Sequence, residues 1–380
     1  LGLFCPQSEA IKQNARGLDW PVFVDTFAAQ AKQNPVLTHP LNGSSFVSDK
    51  FDLNSAFTFL KQEIENQYCL SKDNYRVFFY RLWRVLPCLL QQKDKQSGLN
   101  WLCLPAHFAL PFASVWQRAA IASALASAGD NPALLIFTIA SVQEFVTTAR
   151  RTQDAWAGSF LLSYLAWNAS QVIASVCGPD VFISPDLKGQ PLCDFWLEKE
   201  TGISIPDIQP DEKMARMEIA SIPNIFSVIV PAEKVQELAL EARKQVQDAW
   251  QKIASRVYAG LEHALSPQEQ IDSLWKRQID DFVPSLGLFW SICFFGEHAK
   301  EIFNKQKENV LTQDAPPEVQ NVIKYIETVG LDSMSARTAE KIKPLHIYPL
   351  ASALAGQTMT TRKNLRDFLQ CPEPEIGRAH

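Results

Sequence analysis

"ALLIFTIASVQEFVTTARRTQDAWAGSFLLSYLAWNASQVIASVCGPDVFISP", residues 133–185, decides the fold. Its first seven residues, 133–139, form an unbroken apolar run of strand length, which suits a strand buried on both faces. The segment 141–176 then turns helical, with a possible kink near Thr152 to Asp154. Gly178 and Pro179 close that helix, and "VFISP" (181–185) is a second strand. A proline-rich, loop-rich insert follows to about residue 223. "NIFSVIV" (224–230) gives a third strand and leads into a long helix with Val235, Leu238, Ala242, Val246, Trp250 and Ile253 on one stripe. A helical stretch at 266–282 precedes "LGLFWSICFF" (286–295), the fourth strand. The order strand, helix, strand, strand, helix, strand predicts an α+β fold: a ferredoxin-like, four-stranded antiparallel sheet with helices on one face. Polymerase and cyclase palms share that layout, but a layout is not a function.

Upstream, residues 1 to about 125 read as mainly helical. Phe57, Leu60 and Ile64 share one helical stripe, and Phe78, Leu82 and Val85 share another. "HPLNGSS" (39–45) and "LPAHFALPF" (104–112) read as loops, and a helix from Ser114 stops at Gly129. Downstream, a helix at 296–309 and a polar linker near 312–318 lead to further helical pieces. This gives three regions: a helical one over 1–128, the ferredoxin-like one over 132–306, and a helical linker over 307–380. The chain opens on Leu1, and its last residues, "IGRAH", resemble an accidentally translated adapter, so a piece truncated at both ends is expected.

A formal charge of -5 argues against a freely diffusing basic nucleic-acid binder. Residues 286–295 fall short of the roughly 20 apolar residues that span a bilayer, so no membrane segment is expected. The eight cysteines contain no C-x-x-C pair and mostly have apolar neighbours, which suits reduced thiols in a cytoplasmic protein. No complete zinc site is visible, and the six histidines, His107 and His298 among them, do not cluster. Ser-His triads, Walker loops and H-E-x-x-H pairs are absent.

The helix in the opening stretch carries two stripes. Leu161, Leu162, Leu165, Ala169, Val172, Ile173 and Val176 fall on one face, and Ala155, Ser159, Ser163, Ala166 and Ser170 form a narrow seam of small residues. Two explanations fit the seam. Either another helix or the sheet packs closely there, or a ligand or second domain does, with Ser159 and Ser163 offering hydroxyls. In the second case the turn at Ser141 to Gln143 would offer backbone N–H groups to phosphate, although it lacks the usual glycine. Arg150 and Arg151 could neutralise such a phosphate. Arg362, Lys363 and Arg366 form a basic cluster best read as a solvated face. Asp280 and Asp281 point about 100° apart on a helix and read as surface residues.

"LLIFTIASVQEFVTTARRTQDAWAGSFLLSYLAW" resembles the first palm segment of the large, polymerase-like subunit of type III-B (Cmr-type) CRISPR effector complexes, close to LLxFSIGPVQxFIxxARxTxDLWAGSxLLSxLAW. Further blocks agree in order: 34–43, 104–126, 178–197, 222–238, 275–282 and 360–370. The resemblance implies a helical HD-like domain over 1–128, a first palm over 132–306, and a linker to a zinc module and second palm that lie beyond this sequence. It also implies an RNA-guided antiviral subunit that works with other Cmr-type subunits, guide RNA and target RNA. Its two palms would bind ATP with Mg or Mn and make cyclic oligoadenylates, using a GGDD motif not present here. By the same resemblance, Ser141, Gln143, Arg150, Gly158, Ser159 and Ser163 are the nucleotide-binding candidates; no catalytic or metal-ligating residue is assigned. Two departures stand out. Where the family shows LPADTRxPDHSxWDH, this chain has His107, Ala113, Gln117 and Arg118, so the HD-like region is expected to be degenerate and without nuclease activity. Where the family has Gly-Pro after the first strand, this chain has Ala140 and Ser141. The alternative role is a non-catalytic scaffold in the same kind of complex.

Overall fold

In the computed structural model, the described residues are 36–38, 45–47, 53–71, 74–93, 102, 105–107, 110–129, 131–140, 142–147, 149–205, 217–262, 275, 287–294, 355–356 and 358–360. In chain order, β1 (Val36–Thr38) and β2 (Ser45–Val47) form a hairpin, followed by helix α1 (Leu53–Cys69). Helices α2 (Tyr75–Tyr80) and α3 (Leu86–Lys93) are joined through a π-helical turn, Arg81–Val85. A second hairpin, β3 (Pro105–His107) and β4 (Leu110–Ser114), runs into α4 (Val115–Ala128). Short strands thus border or build both expected loops, pairing antiparallel in each case.

The sheet comes next. β5 (Pro132–Ile139), β6 (Phe182–Ser184), β7 (Ile225–Pro231) and β8 (Leu288–Phe294) pair in the order β6-β7-β5-β8, and every pair is antiparallel. That is the split βαββαβ order expected from the sequence. The register places Phe137 between Phe226 and Trp290, and the rings stack at 5.2 Å and 6.5 Å between centroids. β5 is buried at all eight positions, as its continuous apolar composition requires.

Two long helices link the strands, α6 (Thr152–Cys177) and α8 (Val235–Glu262), which lie side by side and both reach β5. On α8, Val235, Leu238, Ala242 and Val246 are buried, with Trp250 and Ile253 half-buried at the end of the stripe. α6 is long and apolar enough to cross a membrane by length and composition alone, yet half of its apolar window is buried inside the protein. Val176, expected on its buried face, is 55% exposed, whereas Ile173 and Ala174 of the same turn are fully buried. α4 packs along β7.

Three further differences have local causes. The expected kink is a break: α5 (Val142–Thr147) ends, and α6 starts afresh after Arg151, whose backbone is extended at φ -127 and ψ 155. A 3-10 turn, Pro179–Val181, takes the first residue of the expected second strand. The loop-rich insert holds a helix, α7 (Pro191–Thr201), with Pro191 in its first turn and Gly202 closing it in the left-handed region at φ 65. Among the described residues the cysteines are free thiols; Cys88 and Cys193 are buried, whereas Cys69 is exposed. Ser141, Asp280, Asp281, His298, Arg362, Lys363 and Arg366 lie outside the described residues, as does most of 307–380.

Candidate functional site

The break between α5 and α6 creates a groove. Phe145, Ala149, Arg150, Asp154, Ala157, Gly158 and Leu161 line a volume of about 460 Å³. Gly158 explains its depth. A Cβ at that position would lie 3.4 Å from the Phe145 ring, so an alanine would fit in contact and anything larger would push the ring aside. α5 and α6 thereby approach closely at the groove floor.

The N-terminus of α6 is already occupied by charge of its own. The Arg151 backbone N–H donates to Asp154 Oδ2 at 3.2 Å, and the Asp154 and Ala155 N–H groups return to the Arg151 carbonyl. The Asp154 carboxylate thus sits where the helix dipole favours an anion. Arg150 and Arg151 are exposed beside it. One turn on, Trp156 is 53% exposed and stacks on Phe160, the rings 6.0 Å apart and 17° from parallel. The exposed guanidinium in the groove can take a phosphate, and the exposed indole, which stands outside the groove lining, can stack a base.

The sequence candidates separate on this frame. Arg150 and Gly158 come together in the groove. Ser159 stands beside it, its hydroxyl donating to the Ala155 carbonyl at 2.9 Å. Ser163 is 3% exposed, and its hydroxyl accepts the Ile222 backbone N–H at 2.8 Å. At Ser163 the small seam therefore meets the segment leading into β7, the close-packing explanation for that position. Gln143 is placed by its backbone in α5, and Ser141 is outside the described residues. Phe145 and Asp154 line the groove and were not among the expected ligand-facing residues. Asp154, three residues after Arg151 at a helix start, carried a capping signal; Phe145 carried none.

No group of three or more His, Cys, Asp or Glu side chains suited to a metal occurs among the described residues. Of the family-departure positions, Gln117 is described fully. Its amide oxygen accepts the Ser114 N–H at 2.9 Å while its own N–H donates to the Ser114 hydroxyl at 3.1 Å, a capping box that starts α4. His107, Ala113 and Arg118 are placed by their backbone in β3, β4 and α4.

Residues 134–255, from β5 through most of α8, match the family model described as CRISPR-associated protein Cmr2, N-terminal. The chain is 25% identical over 252 residues to the CRISPR system Cmr subunit Cmr2 of Pyrococcus furiosus, a match covering 60% of this chain and 27% of that protein. The chain thus spans about a quarter of that relative's length. A chain in the cryo-EM structure of the type III-B Cmr-beta bound to cognate target RNA is similar at 15% identity and a TM-score of 0.45, over 90% of this chain and 38% of that one.

Proposed function

From the match of residues 134–255 to the Cmr2 N-terminal family model, we propose that the chain is part of the large subunit of an RNA-guided type III-B CRISPR antiviral complex, acting in the cytoplasm. Its ferredoxin-like unit is a first palm that supports ATP binding for cyclic oligoadenylate synthesis. The observation that carries this reading is the groove at the α5–α6 break, where Arg150 and Gly158 come together on that unit. In this reading Arg150 binds phosphate, Trp156 stacks on adenine, and Gly158 keeps the groove open. Ser159 lends an acceptor lone pair at the edge, and Ser163 positions the lead into β7. Mg or Mn belongs with the carboxylates of a second palm, where it would stabilise charge on the reacting phosphate. Other Cmr-type subunits, guide RNA and target RNA are the partners. The Gln117 amide, spent on a helix cap and unable to act as a carboxylate ligand, supports an HD-like region without nuclease activity.

One observation favours a scaffold instead: Asp154 already supplies the anion at the α6 N-terminus and lowers the attraction for a second one. Labelled ATP with Mg²⁺, given to the intact protein assembled with its partner subunits and guide RNA, separates the two roles. Target-dependent cyclic oligoadenylate supports the palm. An assembled complex that binds target RNA but neither binds nor converts ATP makes the chain a scaffold.

A further inference from the structure

The connection between β6 and β7 holds more than a turn: α7 sits within it, outside the βαββαβ succession. Its side chains face two ways. Trp196 packs edge-on against Trp167 of α6 at 6.1 Å and against Tyr80 of α2 at 5.8 Å. Asp194, in the first turn of α7, accepts from Arg84 through both oxygens, Nε to Oδ1 at 2.7 Å and Nη2 to Oδ2 at 2.8 Å. Both side chains are 2% exposed, and the third arm of the guanidinium donates to Cys88 Sγ at 2.9 Å.

Three local features make this pairing possible. The π-helical turn Arg81–Val85 adds a residue to the helical turn, so that Trp83, Arg84 and Val85 are all buried in succession. Gly189 takes the left-handed region at φ 78, which lets the chain turn beside the guanidinium; a Cβ there would do no more than touch Nη2, at 3.9 Å. Lys188 Nζ lies 5.4 Å above the Trp83 ring on the same side. A two-pronged ion pair out of water tolerates little misalignment, and losing one partner strands a buried charge.

We infer that the β6–β7 insertion is a docking element for the N-terminal helical segment, with Asp194 receiving Arg84 and Trp196 receiving Tyr80. The insertion acts together with a direct contact, the Arg76 guanidinium donating to the Ser175 carbonyl of α6, and fixes the orientation of segment 75–93 on the palm. The inference stands apart from any role in ATP binding.

Hydrogen–deuterium exchange on the intact protein carrying Asp194→Asn tests it. The expected result is at least tenfold faster exchange in residues 75–93 and 191–201, with β5 and β7 within twofold of the unsubstituted protein. Unchanged exchange in 75–93 would overturn the inference. So would equal acceleration in the helical segment and the sheet, because the two would then be one cooperative unit. Should Asp194→Asn not accumulate in folded form, Tyr80→Ala, which removes the ring facing Trp196, is read by the same pattern and the same two overturning results.

Discussion

Asp180 follows the end of α6 and is 3% exposed. Burial raises its carboxyl from 3.8 to about 6, while the Ser123 hydroxyl, its own backbone N–H and the Lys188 charge pull the other way. A carboxyl raised on folding contributes stability that is complete below the unfolded value and is lost as pH rises through the folded one. Between about pH 4 and 6 Asp180 therefore loses its favourable contribution, and at neutral pH it is a buried charge held at a cost. Asp180→Asn keeps the shape and removes the charge. Its melting temperature is expected to exceed that of the unsubstituted protein at pH 7.5, equivalent to about 1–3 kcal/mol, with the difference shrinking as pH falls toward 4. A constant difference across that range would place the effect outside this carboxyl. At Ser163 the logic is that of a stranded donor. Ser163→Ala leaves the Ile222 N–H without its partner and should cost about 1–3 kcal/mol in denaturant titration, with ATP affinity unchanged.

At the scale of elements, the α5–α6 break shows what sequence patterns can and cannot deliver. The four strands of the sheet, the two long helices and their order were legible because β5 is apolar almost throughout and α8 keeps a regular stripe. The break appeared only as a kink, since Arg151 is an unusual cap and Asp154 does the capping. α7 was hidden among prolines, although Pro191 in its first turn is a helix-starting signal. The groove itself was half legible: Arg150 and Gly158 stood out as charge and smallness, but Phe145 enters through a tertiary contact that no local pattern encodes. Asp154→Asn separates the two jobs of this helix start. It weakens the cap, at about 0.5–1 kcal/mol, and removes an anion from the groove. If the groove takes phosphate, ATP should bind severalfold tighter as the melting temperature drops. Weaker or unchanged ATP binding in isothermal titration would remove phosphate from this end of the groove.

For the whole molecule, the distribution of aromatic side chains is the most informative feature. Phe137, Phe226 and Trp290 stack within the sheet, and Trp167 and Trp196 are buried around α7. Trp156 instead stands 53% exposed on α6, stacked on Phe160. Exposed indole contributes little to the core, so its loss should leave folding almost untouched. Stacking of one base on an aromatic ring is worth roughly 1–3 kcal/mol, which corresponds to about a 5- to 150-fold change in affinity. Trp156→Ala in the assembled complex is therefore expected to keep its melting temperature and target-RNA binding while ATP affinity falls within that range. Trp156→Phe should recover most of the loss, because a phenyl ring still offers a flat face to the base. Loss of subunit assembly with ATP affinity intact would give the exposed ring to a protein neighbour.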